Sequence, residues 1–149
     1  MTSVAGTAVP GADREYLVFR VGGVRCGIDV ARVQEINRNM DVTRVFSAPP
    51  DVVGVINLRG SIVTLLDLAQ RLGVPDDDER GHPKNVIVSS QGEVVGLVVD
   101  DVEDIVSAGP GEVLPPPAHL PDGIRRCATG VLPMRDLLVI LLDADQAAR

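Results

Sequence analysis

The chain has almost no aromatic residues: no Trp, one Tyr and two Phe, which are Tyr16, Phe19 and Phe46. A core without large rings must be filled by aliphatic side chains. Because 45% of the 149 residues are hydrophobic, that material is Val, Ile and Leu, and the β-branched members of the set favour strands. Lysine is nearly missing as well: Lys84 is the only one among fourteen basic residues, and Arg supplies the rest. Two cysteines, Cys26 and Cys127, fit reduced, buried, small hydrophobes better than a disulfide framework. Positive charge is outnumbered, with 21 acidic residues giving a net charge of −7 and a pI near 4.7. That balance opposes the counterion release that drives nucleic-acid binding and the attraction to anionic lipid, so the composition points to protein partners and to no nucleic acid. The longest apolar run, Leu137 to Leu142, is far below the roughly 20 residues that cross a bilayer. No direct membrane insertion is expected. Residues 1–14 lack a basic n-region and an apolar h-region, which reads as a disordered tail on a cytoplasmic protein.

Catalytic chemistry is equally hard to find. His82 and His119 lie beside prolines with no further ligand at metal-binding spacing, so no metal site is expected. The run Asp76-Asp-Asp-Glu79 lacks the Gly and terminal Glu of a calcium loop. Ser61 does not stand inside Gly-x-Ser-x-Gly, and the one Lys follows no glycine-rich loop. The expectation is no catalytic residue, no cofactor and no enzyme. The remaining enzymatic alternative is a small hydrolase using Ser61, which requires a histidine base within hydrogen-bond reach.

What the chain does contain is a duplication. Residues 54–67, Gly-Val-Ile-Asn-Leu-Arg-Gly-Ser-Ile-Val-Thr-Leu-Leu-Asp, recur at 130–143 as Gly-Val-Leu-Pro-Met-Arg-Asp-Leu-Leu-Val-Ile-Leu-Leu-Asp, identical at seven of fourteen positions. Residues 16–36 overlie 85–105 without a gap, pairing Gly23 with Gly92, Gly27 with Gly96, Val30 with Val99, Val33 with Val102 and Ile36 with Ile105. Repeats of this kind build one small architecture twice. The copies run from about 15 to 72 and from 84 to 143, joined by a polar, Pro- and Gly-rich linker at 73–84.

Within each copy the pattern is of short strands. Residues 16–21 and 24–30 flank Gly22-Gly23, and 85–90 and 93–99 flank Gln91-Gly92; both read as hairpins. The following segments, 30–36 and 99–105, carry apolar residues every third position, which suits a helical turn or a bent strand equally. After Pro49-Pro50 and Pro115-Pro116-Pro117 comes a second hairpin in each copy, turning at Arg59-Gly60 and at Arg135-Asp136. Four or five strands per copy in sequential order predict a mainly β fold of two small antiparallel barrels; exchange of strands between the halves is left open. Helix is predicted at 67–72, capped by Asp67 and ended by Gly73, with a possible second at the C-terminus.

The copies disagree most at Asn57-Leu58-Arg59-Gly60 against Pro133-Met134-Arg135-Asp136. Asn and Gly tolerate positive φ, so the first could be a plain turn. Equally, an Arg at a rigid hairpin tip presents a fork of donors to a carboxylate or carbonyl on a partner. Spacing does not separate the two.

Tyr16-Leu-Val-Phe19, Gly27-Ile-Asp-Val30, Val33-Gln-Glu-Ile36, Gly54-Val-Ile-Asn-Leu-Arg-Gly60 and Gly96-Leu-Val-Val-Asp100, followed by Val102 and Pro115-Pro116, together resemble the CheW-like family of chemotaxis coupling proteins. The resemblance spans residues 15–143, to be read as a single CheW-like domain covering 15–149. It implies two five-stranded, SH3-like β-barrels around a shared hydrophobic core, no catalysis, and a scaffold linking the cytoplasmic tips of methyl-accepting chemoreceptors to the regulatory domain of the histidine kinase CheA. It further implies recruitment from the cytoplasm to membrane-associated receptor arrays. Carried over position by position, it implies receptor contacts at Val33, Glu35, Arg59, Val102 and Ile105 in a groove between the barrels, and kinase contacts at Gly54 and Asn57. Thr64 departs from the proline usual there. The alternative within the same fold is an adaptor of a non-flagellar chemosensory pathway controlling surface motility, development or gene expression.

Overall fold

The structure, a computed structural model, describes residues 13–38, 41–75 and 82–149. Residues 1–12 of the expected tail and 76–81 of the expected linker lie outside them. The described residues form ten strands: β1 (Arg14–Val21), β2 (Val24–Asp29), β3 (Val33–Asn37), β4 (Val52–Leu58), β5 (Ser61–Asp67), β6 (Lys84–Ser90), β7 (Glu93–Val99), β8 (Asp101–Ala108), β9 (Ala128–Met134) and β10 (Leu137–Leu142). Three short helices accompany them: α1 (Leu68–Leu72), α2 (Asp122–Cys127) and α3 (Ala144–Ala148).

The strands make two five-stranded sheets, ordered β8-β1-β2-β10-β9 and β3-β6-β7-β5-β4. Under the sequence duplication β1 corresponds to β6, β2 to β7, β3 to β8, β4 to β9 and β5 to β10, and that substitution turns one order into the other. Each sheet therefore takes the first hairpin of one copy and the remaining three strands of the other. Strand exchange between the halves is realised in full. The copies join twice in each sheet, through a parallel pair, β2 with β10 or β7 with β5, and through an antiparallel pair, β1 with β8 or β6 with β3; the remaining pairings, within one copy, are antiparallel.

The mainly β architecture is as expected, with one refinement. Hydrogen bonding does not continue from the last strand of either sheet to its first, so the sheets are not closed barrels. The free edge of β4 is occupied instead by Thr43, whose N–H and carbonyl each bond Val55 at 2.8 Å; Leu114 does the same to Val131 on β9 at 2.8 Å. Those contacts cover edges that would otherwise template aggregation. They also explain Gly54 and Gly130. A Cβ on Gly54 would lie 2.5 Å from the Thr43 carbonyl oxygen, and one on Gly130 would lie 2.9 Å from that of Leu114.

Three clusters of buried side chains fill the molecule. The largest lies between the sheets and includes Leu17, Phe19, Ile28 and Leu142 from one, and Leu66, Val86, Val88, Leu97 and Val99 from the other. Inside the first sheet's curl sit Val18, Leu132, Val139 and Leu141; inside the second sit their repeat equivalents Ile87, Ile56, Val63 and Leu65. Alternate residues of one strand thus enter different clusters, so both faces are buried and the strands read as near-continuous apolar runs. Both cysteines belong to the shared cluster as free thiols. Burial pushes the Cys26 thiol up to about 12, which leaves it inert at neutral pH.

The segments that sequence left ambiguous resolve differently in the two copies. Asp29 accepts the N–H of Ala31 at 2.9 Å and caps a 3-10 turn at Val30–Arg32. The second copy has Val98 there, which cannot cap, and Asp100 is drawn inward to accept the Gly22 N–H at 2.8 Å, so the chain passes directly into β8. Asp67 caps α1 and Gly73 ends it at φ 71°, as predicted, and the C-terminal helix α3 is capped by the equivalent Asp143. Helix α2 has no counterpart among the sequence-based expectations: it is capped by no side chain, and Ile124 and Cys127 anchor it to the shared core. Its helical state comes from packing.

Val99 is 1% exposed in the shared core. An unpaired buried carboxylate costs several kcal/mol against a typical total of roughly 5 to 15. Val99→Asp is expected to abolish the cooperative thermal transition in far-UV circular dichroism, while Glu35→Lys retains it.

Candidate functional site

The β4–β5 hairpin turns on two residues, since Leu58 pairs with Ser61. Arg59 and Gly60 have φ of 53° and 88°, the double positive φ of a hairpin turn matched to strand twist. The Asn57 side-chain oxygen accepts the Gly60 N–H at 2.9 Å, and Leu58 packs against the inner cluster of its sheet. The four residues of Asn-Leu-Arg-Gly thus divide the work of the turn. Asn57 locks it, Leu58 anchors it, Gly60 supplies the backbone, and Arg59 is presented at the tip.

Arg59 does not project into solvent alone. Its guanidinium pairs with Glu35 on β3, although β3 and β4 are opposite edges of the same sheet. The curl brings those edges together, and side chains rather than backbone cross the seam. Glu35 also accepts from the Asn37 amide at 3.1 Å, and the Asn37 side-chain carbonyl accepts from Asn85 at 2.9 Å. The hydrogen bond from Arg59, then that from Asn37, hold the Glu35 carboxyl below the ordinary glutamate value. The Arg59 side chain remains 74% exposed, leaving donors for a further partner.

At the hairpin of the second copy this arrangement is missing. Pro133 cannot tie the turn as Asn57 does, and although Arg135 has φ 54°, Asp136 does not share the positive φ of Gly60. Among the described residues no ion pair is formed by Arg135 or by Asp104, the equivalent of Glu35.

The other expected contact residues are placed apart from this network. Val33 on β3 and Val102 on β8 are partly buried against the shared core, on edge strands of opposite sheets. Ile105 and its repeat equivalent Ile36 are solvent-facing, at 52% and 41% exposure. No hydrogen bond or ion pair among the described residues links Val102 or Ile105 to Glu35 or Arg59. A cavity of 420 Å³ lined in part by Arg14, Tyr16, Asp29 and Arg32 contains none of the five residues. Gly54 is buried beneath Val42 and Thr43. Sequence reading passed over four exposed apolar residues, Val42, Val45, Phe46 and Ile62, Phe46 at 95%; of these Val42 lies over Gly54 and Ile62 faces Asn57. One signal was available, because Phe46 is one of only three aromatics. Asn37 and Asn85 were also missed; polar residues inside an apolar strand pattern were their signal.

The CheW-like domain model matches residues 15–149. The chain belongs to the CheW-like family. It is 32% identical over 145 residues to a chemotaxis protein CheW of Rhizobium meliloti, covering 97% of this chain and 93% of that protein. To the chemotaxis protein CheW of Klebsiella aerogenes it is 34% identical, covering 98% and 86%, and to the protein FrzA of Myxococcus xanthus 30% identical, covering 70% and 66%. The scaffolding protein TtCheW from Thermoanaerobacter tengcongensis has the same fold, with a TM-score of 0.82 at 24% identity over 91% of this chain and 92% of that one. CheW-like proteins are non-enzymatic adaptors. Among the described residues no group of three or more His, Cys, Asp and Glu could hold a metal ion.

The lowered Glu35 value fixes a pH window for the CheW-like hairpin. A carboxyl whose folded-state value lies below its unfolded one contributes fully above the ordinary glutamate value of 4.5, and that contribution is lost as pH falls through the lowered value. The Arg59–Glu35 pair is therefore expected to persist at pH 5 and above, and to open only below 4.5. Side-chain carboxyl NMR titration checks this: Glu35 should titrate below that value, and Arg59→Ala should raise its midpoint.

Gly54→Ala is expected to destabilise the chain by about 1 to 3 kcal/mol, the range for an overpacked site, because the new methyl meets the Thr43 backbone as well as the Val42 side chain. Urea unfolding measures it; a change within about 0.5 kcal/mol would mean that residues 42–43 can move away freely.

Proposed function

We propose that this chain couples the cytoplasmic tips of methyl-accepting chemoreceptors to the histidine kinase CheA, as an adaptor recruited from the cytoplasm to membrane-associated arrays. The observation that carries the reading is the difference between the two copies: only the first hairpin has the locked turn and the Arg59–Glu35 pair across its seam. A merely structural turn would have served both. Arg59 and Glu35 form the polar part of the receptor surface, and Val33, Val102 and Ile105 the apolar part, a mixture suited to an amphipathic receptor helix. The kinase surface is assigned to the face around Gly54 and Asn57, where exposed Val42, Phe46 and Ile62 supply apolar contact and Gly54 lets the 42–43 segment lie against β4. No helix among the described residues is long and apolar enough to cross a membrane.

The likeness to FrzA supports a second reading within the same fold, an adaptor of a non-flagellar chemosensory pathway controlling surface motility, development or gene expression. Neighbouring genes separate the two.

The duplication provides an internal control. Arg59→Ala and Arg135→Ala should both fold, but only Arg59→Ala should lose receptor-coupled kinase activation. Truncating a hydrogen-bonded charge buried at an interface costs about 2 to 5 kcal/mol of binding, enough to empty a micromolar complex. Kinase assays with receptor-containing membranes and CheA measure this. Equal activity in the two variants would remove Arg59 from the receptor surface.

A further inference from the structure

The seam that Arg59 and Glu35 close in one sheet is open in the other. Between β8 and the β9–β10 hairpin, the two edges of the first sheet, lies a cavity of 240 Å³ walled by Val18, Val106, Leu137 and Val139 and rimmed by the ion-paired Arg25 and Glu103 and by Asp104. The repeat shows why it stays open. Ile87, one methylene larger, stands at the position of Val18; Asn37, which extends the Glu35 network, is replaced by Val106; and Ser61 is replaced by Leu137. Asp104 occupies the Glu35 position but is one methylene shorter, and the β9–β10 turn lacks the lock that aims Arg59. The neighbouring Glu103 is already matched by Arg25 through bonds of 2.7 and 3.1 Å. Asp104 accepts only the N–H of Ile105, at 2.8 Å, and among the described residues no basic side chain reaches it.

We propose that this seam is a docking site for an arginine carried beside an aliphatic residue on a partner polypeptide. The molecule contains the precedent for the charge, since at the equivalent seam a carboxylate takes the guanidinium of Arg59; the place of Leu58 is filled here by Met134, which packs against the inner cluster. The partner supplies to Asp104 the guanidinium that this chain supplies to Glu35, and its aliphatic residue covers the open wall of Val18, Val106 and Leu137. Size agrees: pockets for drug-sized ligands run to about 300–1,000 Å³, and 240 Å³ suits one or two side chains. Arg is favoured over Lys because its planar fork matches a carboxylate bidentately. The site is on the opposite sheet from Arg59, on the strand β8 that also carries Val102 and Ile105.

The test is NMR titration of the full-length, ¹⁵N-labelled chain with the blocked dipeptide N-acetyl-Leu-Arg-amide. Saturable shifts are expected at Asp104, Ile105, Val106, Met134 and Leu137. N-acetyl-Leu-Gln-amide should leave them unmoved. Asp104→Asn should weaken binding at least tenfold, and Val18→Ile, which fills the cavity as Ile87 does, should weaken it with an otherwise unchanged spectrum. No shifts, shifts spread over the acidic surface, or equal binding by Asp104→Asn would each overturn the proposal.

Discussion

Everything in this molecule depends on two parallel strand pairs that join one copy of the repeat to the other. Gly27 lies directly opposite Leu141 on β10, and Gly96 directly opposite Leu65 on β5. A Cβ at Gly27 would come within 2.9 Å of the leucine it faces, and one at Gly96 within 2.4 Å, so the absent side chain is what allows the leucine to lie over the strand and enter the inner cluster. Without these junctions each sheet would split into a bare two-stranded hairpin, marginal at best in water, and a three-stranded piece that mixes strands of both copies. The copies cannot fold as separate barrels, and the large core between the sheets exists only when both are present.

Side-chain ties reinforce that dependence. Lys84 on β6 bonds Asp101 on β8 at 2.6 Å, joining the two sheets and holding the Asp101 carboxyl below its usual range. Arg32 and Ser90 converge on Asp145 of α3, and Arg71 of α1 donates to the Ala147 carbonyl at 2.6 Å. The C-terminal helix is thereby fixed to elements of the first copy and the linker-side strand of the second.

Upon this symmetric frame, the proposed function rests on what is asymmetric. A pair of edges that cannot close by backbone hydrogen bonding leaves two seams. One is sealed by a guanidinium and a carboxylate, the other left as an apolar cavity with an unmatched carboxylate at its rim. A scaffold that binds several proteins at once needs surfaces that differ, and a duplication supplies two equivalent positions to be altered independently. Phe46, one of three aromatics in the chain, is 95% exposed.

The sequence by itself determined the repeat, the strand pattern and the hairpin turns, because alternation, Gly at positive φ and apolar burial are local properties. Asp67 and Gly73 likewise marked α1 through caps that need only neighbouring residues. Resemblance across Asn57-Leu58-Arg59-Gly60 and the flanking motifs was enough to point to the family. Only the tertiary structure decided which copy each strand would serve, since two repeats of nearly equal apolar pattern pair as well with each other as with themselves, and register between distant strands leaves no local mark. For the same reason the pairing of Arg59 with Glu35 was invisible: Val33, Glu35 and Arg59 could be named as candidates, but β3 and β4 meet only because the sheet curls. Helix α2 escaped for a related cause, its two anchors being set by a core assembled from both copies. Local chemistry wrote the elements, and long-range packing chose their partners.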